Sequence, residues 1–188
     1  MTNFDGSIEL ITGCMFSGKS SYLISRIERY LLAKKRVIAL KWKGDTRYTK
    51  EPLIKTHNGL TCECVVADND DLKEVYETKL SSHDVICIDE GSFFRKIVQF
   101  CEMLANNGHR VIVASLVGNY NREGFNDILN LIPKAEKVTM LTAVCMSCHE
   151  DGATFTKLIR NDVTPDGTEL VGGKESYMAV CRKCYFKM

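Results

Sequence analysis

The residues Gly13-Cys14-Met15-Phe16-Ser17-Gly18-Lys19-Ser20 match the pattern G-x-x-x-x-G-K-[ST]. Each part of that pattern has a use in holding a chain of phosphates. Glycines let backbone N–H groups close around phosphate oxygens. A helix N-terminus behind the loop adds partial positive charge. Lys19 would reach the β and γ phosphates, and Ser20 would offer its hydroxyl to Mg²⁺. The context fits, because an apolar strand candidate precedes the loop and an amphipathic helical pattern follows it. A glycine turn that happens to precede a helix is the plain alternative. The full pattern in this context favours a nucleotide site.

Further along, Val85 to Phe94 reads VICIDEGSFF, an apolar run that ends in two adjacent carboxylates. In P-loop folds an Asp at the end of a neighbouring strand holds the metal, and Asp89 fits that place. Glu90 comes next. Neighbouring side chains on a strand point to opposite faces. The strand ends here, however, and Gly91 permits a sharp change of direction. Glu90 could then face a second substrate and accept a proton from an attacking hydroxyl or water. The alternative is a metal-holding Asp beside a solvated Glu.

Nine cysteines are present, and four of them form two Cys-x-x-Cys units, Cys145/Cys148 and Cys181/Cys184. Four thiolates are what a tetrahedral structural zinc takes. An odd cysteine count, with no secretory pattern in MTNFDGSIEL, argues against a disulfide framework and for a reducing, cytoplasmic setting. Two other readings compete for the pairs. Cys145 to His149 spells the haem-attachment pattern C-x-x-C-H, but that would leave the second pair unused. A redox Cys-x-x-Cys is the other. Cys148 and Cys181 stand further apart than the roughly 15–20 residues of a simple zinc ribbon. Zinc would therefore close a long loop containing the turn signal Thr164-Pro165-Asp166-Gly167, then Leu170-Val171-Gly172-Gly173. Such a loop, pinned at its base, could lie over a ligand and present backbone amides from Val171 to Gly173; a solvated loop without a role is the alternative.

These groups need elements to position them. Strand candidates run over 8–12, 37–41, 60–66, 85–89, 111–117 and 138–144. Leu23, Ile24, Ile27 and Leu31 recur at helical spacing between Ser20 and Lys34, as do Ile97, Val98, Cys101, Leu104 and Ala105. Asp68 to Asp71 would cap a short helix ending near Leu80, and Phe125 to Ile132 a further one stopped by Pro133. Strands alternating with helices predict an α/β fold, a parallel P-loop sheet with helices on both faces. After Val144 the apolar periodicity ends and the Cys pairs begin. The expected division is a nucleotide-binding domain over 1–143 and a small zinc-binding domain over 144–188, too small to fold without its metal. Net charge is +1, so no basic footprint points to nucleic acid or a membrane surface. No apolar run is long enough to span a bilayer.

Together these stretches resemble the type II thymidine kinases. The matching pieces are GCMFSGKS, DTRY at Asp45 to Tyr48, IDEGSFF, GFNDILNLIP, LTAVCMSC, LVGGKESY and VCRKCYF. They keep the family's order and span nearly the whole chain. The resemblance implies transfer of the ATP γ-phosphoryl group to the 5′-hydroxyl of thymidine. It implies that Glu90 is the general base, that Asp89 helps hold Mg²⁺, and that Arg47 meets phosphates near the transfer site. It implies that the zinc-closed loop is a lasso over the nucleoside, with backbone groups of Thr168, Glu169, Leu170, Val171 and Gly172 bonded to the thymine ring. Met15, Phe93, Leu116, Tyr120, Phe125, Thr156 and Tyr177 would line the pocket. Read from the pattern alone, Leu116 in a strand and Phe125 on a helix face are core residues. The family also implies a homotetramer and feedback inhibition by dTTP.

Some positions depart from the family pattern. Ser92 stands where the family usually has Gln, Val117 where it has Asp, and Glu123 where it has a basic residue. Extra residues lie near Thr164 to Gly167. None of these changes touches Lys19, Ser20, Asp89 or Glu90, which predicts an active kinase. The competing reading is a P-loop ATPase whose zinc module binds a protein or nucleic acid.

Overall fold

The computed structural model describes residues 6–45, 51–56, 58–70, 72–159 and 172–187. In chain order the elements are β1 (Ser7–Gly13), α1 (Lys19–Leu32), β2 (Val37–Trp42), β3 (Leu53–Lys55), β4 (Thr61–Glu63) and β5 (Val65–Ala67). Then come α2 (Leu72–Val75), extended by a π turn at Tyr76–Leu80, β6 (Val85–Asp89), a 3₁₀ turn at Gly91–Phe93 and α3 (Ile97–Asn106). β7 (Arg110–Ser115), a 3₁₀ helix at Asn126–Lys134, β8 (Lys137–Leu141), β9 (Phe155–Leu158), β10 (Tyr177–Val180) and α4 (Arg182–Phe186) complete the described chain.

Six strands form one parallel sheet in the order β5-β2-β6-β7-β1-β8. The predicted α/β architecture is what forms, and the two-residue period of the strands explains it. On β6, Val85 and Cys87 join the cluster of Leu23, Ile24 and Ile27 from α1. Ile86 and Ile88 point the other way, into a larger cluster with Ile97, Cys101 and Leu104 of α3. A strand covered on both faces must be apolar at every position, hence the near-continuous runs. Two antiparallel pairs, β3–β4 and β9–β10, lie outside the sheet.

Four expected elements differ in detail. The candidate strand at 60–66 is two short strands, one in the β3–β4 hairpin and one in the main sheet. The strands expected at 111–117 and 138–144 end at Ser115 and Leu141. The helix after Phe125 is 3₁₀ and runs past Pro133 to Lys134. Asn126 opens it in the left-handed region, at φ 51°, away from the helical range.

At the amino ends of β2 and β6, Arg36 clamps Asp84. Its backbone N–H donates to Asp84 Oδ2 at 2.9 Å, and its guanidinium reaches Oδ1 at 2.7 Å. The side-chain and backbone bonds from Arg36 hold the Asp84 carboxyl well below the usual carboxylate range. A lowered folded-state pKa contributes stability that is present above about pH 4 and lost as pH falls further. The pair is exposed, so the contribution is small. Asp84→Asn is expected to lower Tm by a degree or two at pH 7, with the gap between mutant and parent closing below about pH 3. A gap that persists unchanged in acid would show that the ion pair is not its source.

Candidate active site

The loop between β1 and α1 wraps back on itself through three residues at positive φ: Gly13 (149°), Phe16 (64°) and Gly18 (83°). A Cβ on Gly13 would lie 2.4 Å from the Leu141 carbonyl oxygen and 2.6 Å from Ser17 Oγ, so only glycine fits there. Gly18 caps α1 and leaves its first amides facing the loop. Lys19 is buried and donates from Nζ to the Cys14 carbonyl at 2.8 Å. The hydroxyls of Thr12 and Ser17 are buried with no hydrogen-bond partner among the described residues. Buried orphan hydroxyls beside a nest of amides suit an anion with several acceptor oxygens.

Ser20 Oγ donates to Asp89 Oδ1 at 3.1 Å, across the intervening β7. Both are hard oxygen donors. Ligand oxygens on adjacent vertices of a Mg²⁺ octahedron sit about 2.9 Å apart. The pair therefore fits that ion and would supply two of its oxygen donors.

Glu90 leaves the strand in the left-handed conformation, φ 54° and ψ 43°. This conformation costs a non-glycine residue on the order of 1 kcal/mol. The turn is made by Glu90 itself and not by Gly91, as the sequence had suggested. Gly91 is glycine for space: a Cβ there would stand 2.5 Å from Val113 Cγ1. The strained residue lines a cleft of about 140 Å³ together with Met15, Lys19, Ser20 and Leu116. Leu116 belongs to the larger core cluster and also lines this cleft.

The far wall of that cleft was not anticipated. Lys55, Thr56 and Asn58 line it from the β3–β4 hairpin. Asn58-Gly59, a strong hairpin signal between two short strands, could have revealed it. Lys41, buried at the edge of this region, donates to the Leu53 carbonyl at 3.1 Å and ties the hairpin to β2.

Several aromatic rings belong to or pack against the larger apolar cluster. Phe93 stacks on Trp42 at 4.7 Å and meets Phe125 edge-on at 5.5 Å. Tyr120 and Tyr177 lie 6.3 Å apart. Trp42 had no expected role, and its Nε1 is buried without a partner among the described residues. So is Ser92 Oγ, while the Ser92 carbonyl accepts from Asn126 Nδ2 at 2.8 Å. Thr156 does not stand alone as a wall residue: its Oγ1 accepts the Met15 N–H at 3.0 Å. Cys14 Sγ donates to the Ala153 carbonyl at 3.3 Å. The segment after β8 therefore grips the phosphate loop directly. Arg47, Thr168, Glu169, Leu170 and Val171 lie outside the described residues. Gly172 is buried, and a Cβ on it would meet Ser176 Oγ at 2.6 Å.

The four sulfurs of Cys145, Cys148, Cys181 and Cys184 lie within 4.8 Å of one another. Cys148 and Cys181 are 3.8 Å apart. With Zn–S bonds of about 2.3 Å, a tetrahedron has edges of about 3.8 Å, so the donor set fits zinc. Burial alone would push the Cys145 thiol up, yet amides of Cys181, Cys148 and Ser147 outweigh it and lower its pKa. His149 is exposed and the second Cys pair joins the first, which leaves nothing for the haem pattern. Among the described residues, no helix is long and apolar enough to cross a membrane.

Comparison with known proteins places these features in company. A family model described as thymidine kinase matches residues 6–185. The thymidine kinase of vaccinia virus (strain Western Reserve) is 45% identical over 180 residues, 96% of this chain and 97% of that one. The thymidine kinase of myxoma virus (strain Lausanne) is 44% identical over 188 residues, covering 99% of both. The cytosolic thymidine kinase of Gallus gallus is 45% identical over 182 residues, 97% of this chain and 78% of that one.

Proposed function

This chain belongs to the thymidine kinase family, and we propose that it transfers the γ-phosphoryl group of ATP to the 5′-hydroxyl of thymidine, giving dTMP and ADP. The observation that carries the reading is the strained turn at Glu90, which sets this residue on the wall of a cleft that Lys19 and Ser20 also line, with Asp89 bonded to Ser20. The phosphate loop and Lys19 hold the triphosphate. Ser20 and Asp89 would hold Mg²⁺, which neutralises charge on the phosphates when bound. Glu90 takes the proton of the 5′-hydroxyl as its oxygen bonds to the γ-phosphorus. The bond from that phosphorus to the bridging oxygen breaks, and ADP leaves with the electron pair. Such a transfer needs positioning and charge stabilisation more than covalent help.

Met15, Leu116, Phe93, Phe125, Tyr120 and Tyr177 form the apolar slot for the base, in keeping with their packing in one apolar cluster. Arg47 would meet the transferring phosphoryl group, and Thr168 to Gly172 would bond the thymine edge. We take 1–143 as the nucleotide-binding unit and 144–188 as the zinc-held unit. The protein works in the cytoplasm as a homotetramer; exposed Val138 and Met140 on edge strand β8 supply apolar surface for association. dTTP, which carries the same base, acts as a feedback inhibitor, and its inhibition should be relieved by excess thymidine.

Phosphate transfer from labelled ATP with Mg²⁺, with thymidine or with water alone, tests the central reading. Label appearing in dTMP only when thymidine is present supports it. Phosphate release at the same rate without a nucleoside would favour an ATPase.

A further inference from the structure

The chain from Val117 to Phe125 is a closed loop beside the base slot. Gly118 and Gly124 bridge its neck. Asn119 Oδ1 accepts from the amides of Asn121, at 2.9 Å, and Glu123, at 3.0 Å. Tyr120, at the loop's tip, is held from outside the loop. The phenol of Tyr185, on α4, donates to the Tyr120 carbonyl at 2.7 Å. The Arg122 guanidinium lies 4.8 Å from the Tyr185 ring centre and 4.5 Å from that of Phe186, within cation–π range.

α4 is a firm anchor despite its single turn. Cys181 caps its start and Cys184 lies within it, so two sulfurs of the zinc cluster fix it. Lys157 of β9 caps its end, donating to the carbonyls of Cys184 at 3.4 Å, Tyr185 at 3.0 Å and Lys187 at 3.1 Å. A short helix held at both ends presents its Tyr185 hydroxyl at a fixed point.

We propose that Tyr185 is a positioning residue for the nucleoside pocket: by holding the Tyr120 carbonyl it sets the spacing of the Tyr120 and Tyr177 rings. It touches no reacting atom. The zinc cluster thereby shapes the pocket by a second route, through α4, in addition to the long loop it closes. The proposal rests on the reading that Tyr120 and Tyr177 wall the nucleoside site.

Tyr185→Phe removes the hydroxyl and keeps the ring against Arg122 and Phe155. The expected result is a KM for thymidine raised about five- to tenfold, the order of one lost neutral hydrogen bond. The kcat and the KM for ATP should stay within about twofold, with zinc content unchanged. A thymidine KM that does not move, or a loss shared equally by both substrates, overturns the proposal. Arg122→Gln, on the exposed side of the same contact, should give the same split, and guards against poor folding of the first variant. Trypsin cleavage after Arg122 reads the anchor without any turnover. It should speed up severalfold in Tyr185→Phe, and an unchanged rate also overturns the proposal. A parent protein that fails to phosphorylate thymidine would sink the functional reading, while the cleavage rate would still judge the anchor.

Discussion

Glu90→Gln is expected to lower kcat for thymidine by about 10²–10⁴-fold while leaving ATP binding intact. Glutamine has nearly the shape of glutamate and can occupy the same left-handed turn, so the cleft keeps its walls. What goes is the group able to accept the 5′-hydroxyl proton. Asp89 is no substitute, because its Oδ1 is engaged with Ser20 Oγ on the metal side. Lys19 and the loop amides are untouched, so ATP affinity measured by titration should change by less than about twofold. Full retention of kcat would show that Glu90 is not the base. A loss of ATP affinity equal to the loss in rate would show that it holds the nucleotide instead. Energetically, a residue kept at φ 54° beside a glycine that is needed for packing is one whose direction matters more than its comfort.

The parts of this site that could be read in the sequence are those whose physics is local. The phosphate loop is contiguous, and its glycines answer to conformations set within eight residues. The buried strands announce themselves because both faces are covered, which forces an apolar residue at every position of β6. The four cysteines are legible because metal chemistry fixes both ligand type and number. What was not legible depends on contacts between distant pieces. The β3–β4 hairpin that walls the cleft has strands of three residues each, too short for a period to show, so that only its Asn58-Gly59 turn is legible and not its place against the cleft. Trp42 gains its place by stacking on Phe93, which is distant in the chain and is brought close only by the pairing of β2 with β6. The hydroxyl of Thr156 binding the Met15 amide is set by how β9 docks on the loop, which no pattern in either segment encodes. A turn after Asp89 is legible, but the pattern points to Gly91 as its pivot, since glycine is the usual way to reach positive φ. The positive φ falls on Glu90, while Gly91 answers to the space beside Val113.

Cys145→Ser is expected to drop bound zinc from about one per chain to near zero and to cut thymidine turnover by more than tenfold. Serine offers a neutral hydroxyl where the cluster presents a thiol whose pKa is already lowered by amides. Zinc binding to such sites is worth about 10–16 kcal/mol in small zinc peptides, so its loss is not easily compensated. The apolar cluster around it is small. Its buried members besides the cysteines of the pairs are Cys14, Ala143, Ala153, Ala179 and Val180, all small, and the larger Phe16, Phe155, Met178 and Tyr185 pack against them only partly buried. Without metal, the segment has little to hold β9, β10 and α4 together. Two consequences should follow in the site. The Thr156 bond to Met15 and the Cys14 bond to Ala153 tie that segment to the phosphate loop, so ATP binding should weaken. Thymidine binding should weaken more, because the base slot draws Tyr177 from β10 and, through Tyr185, the position of Tyr120. Metal analysis of the purified variant, beside KM for each substrate, checks both steps. Zinc retained at about one per chain would remove Cys145 from the ligand set. Zinc lost with turnover unchanged would mean that the cluster stabilises the chain without shaping the pocket.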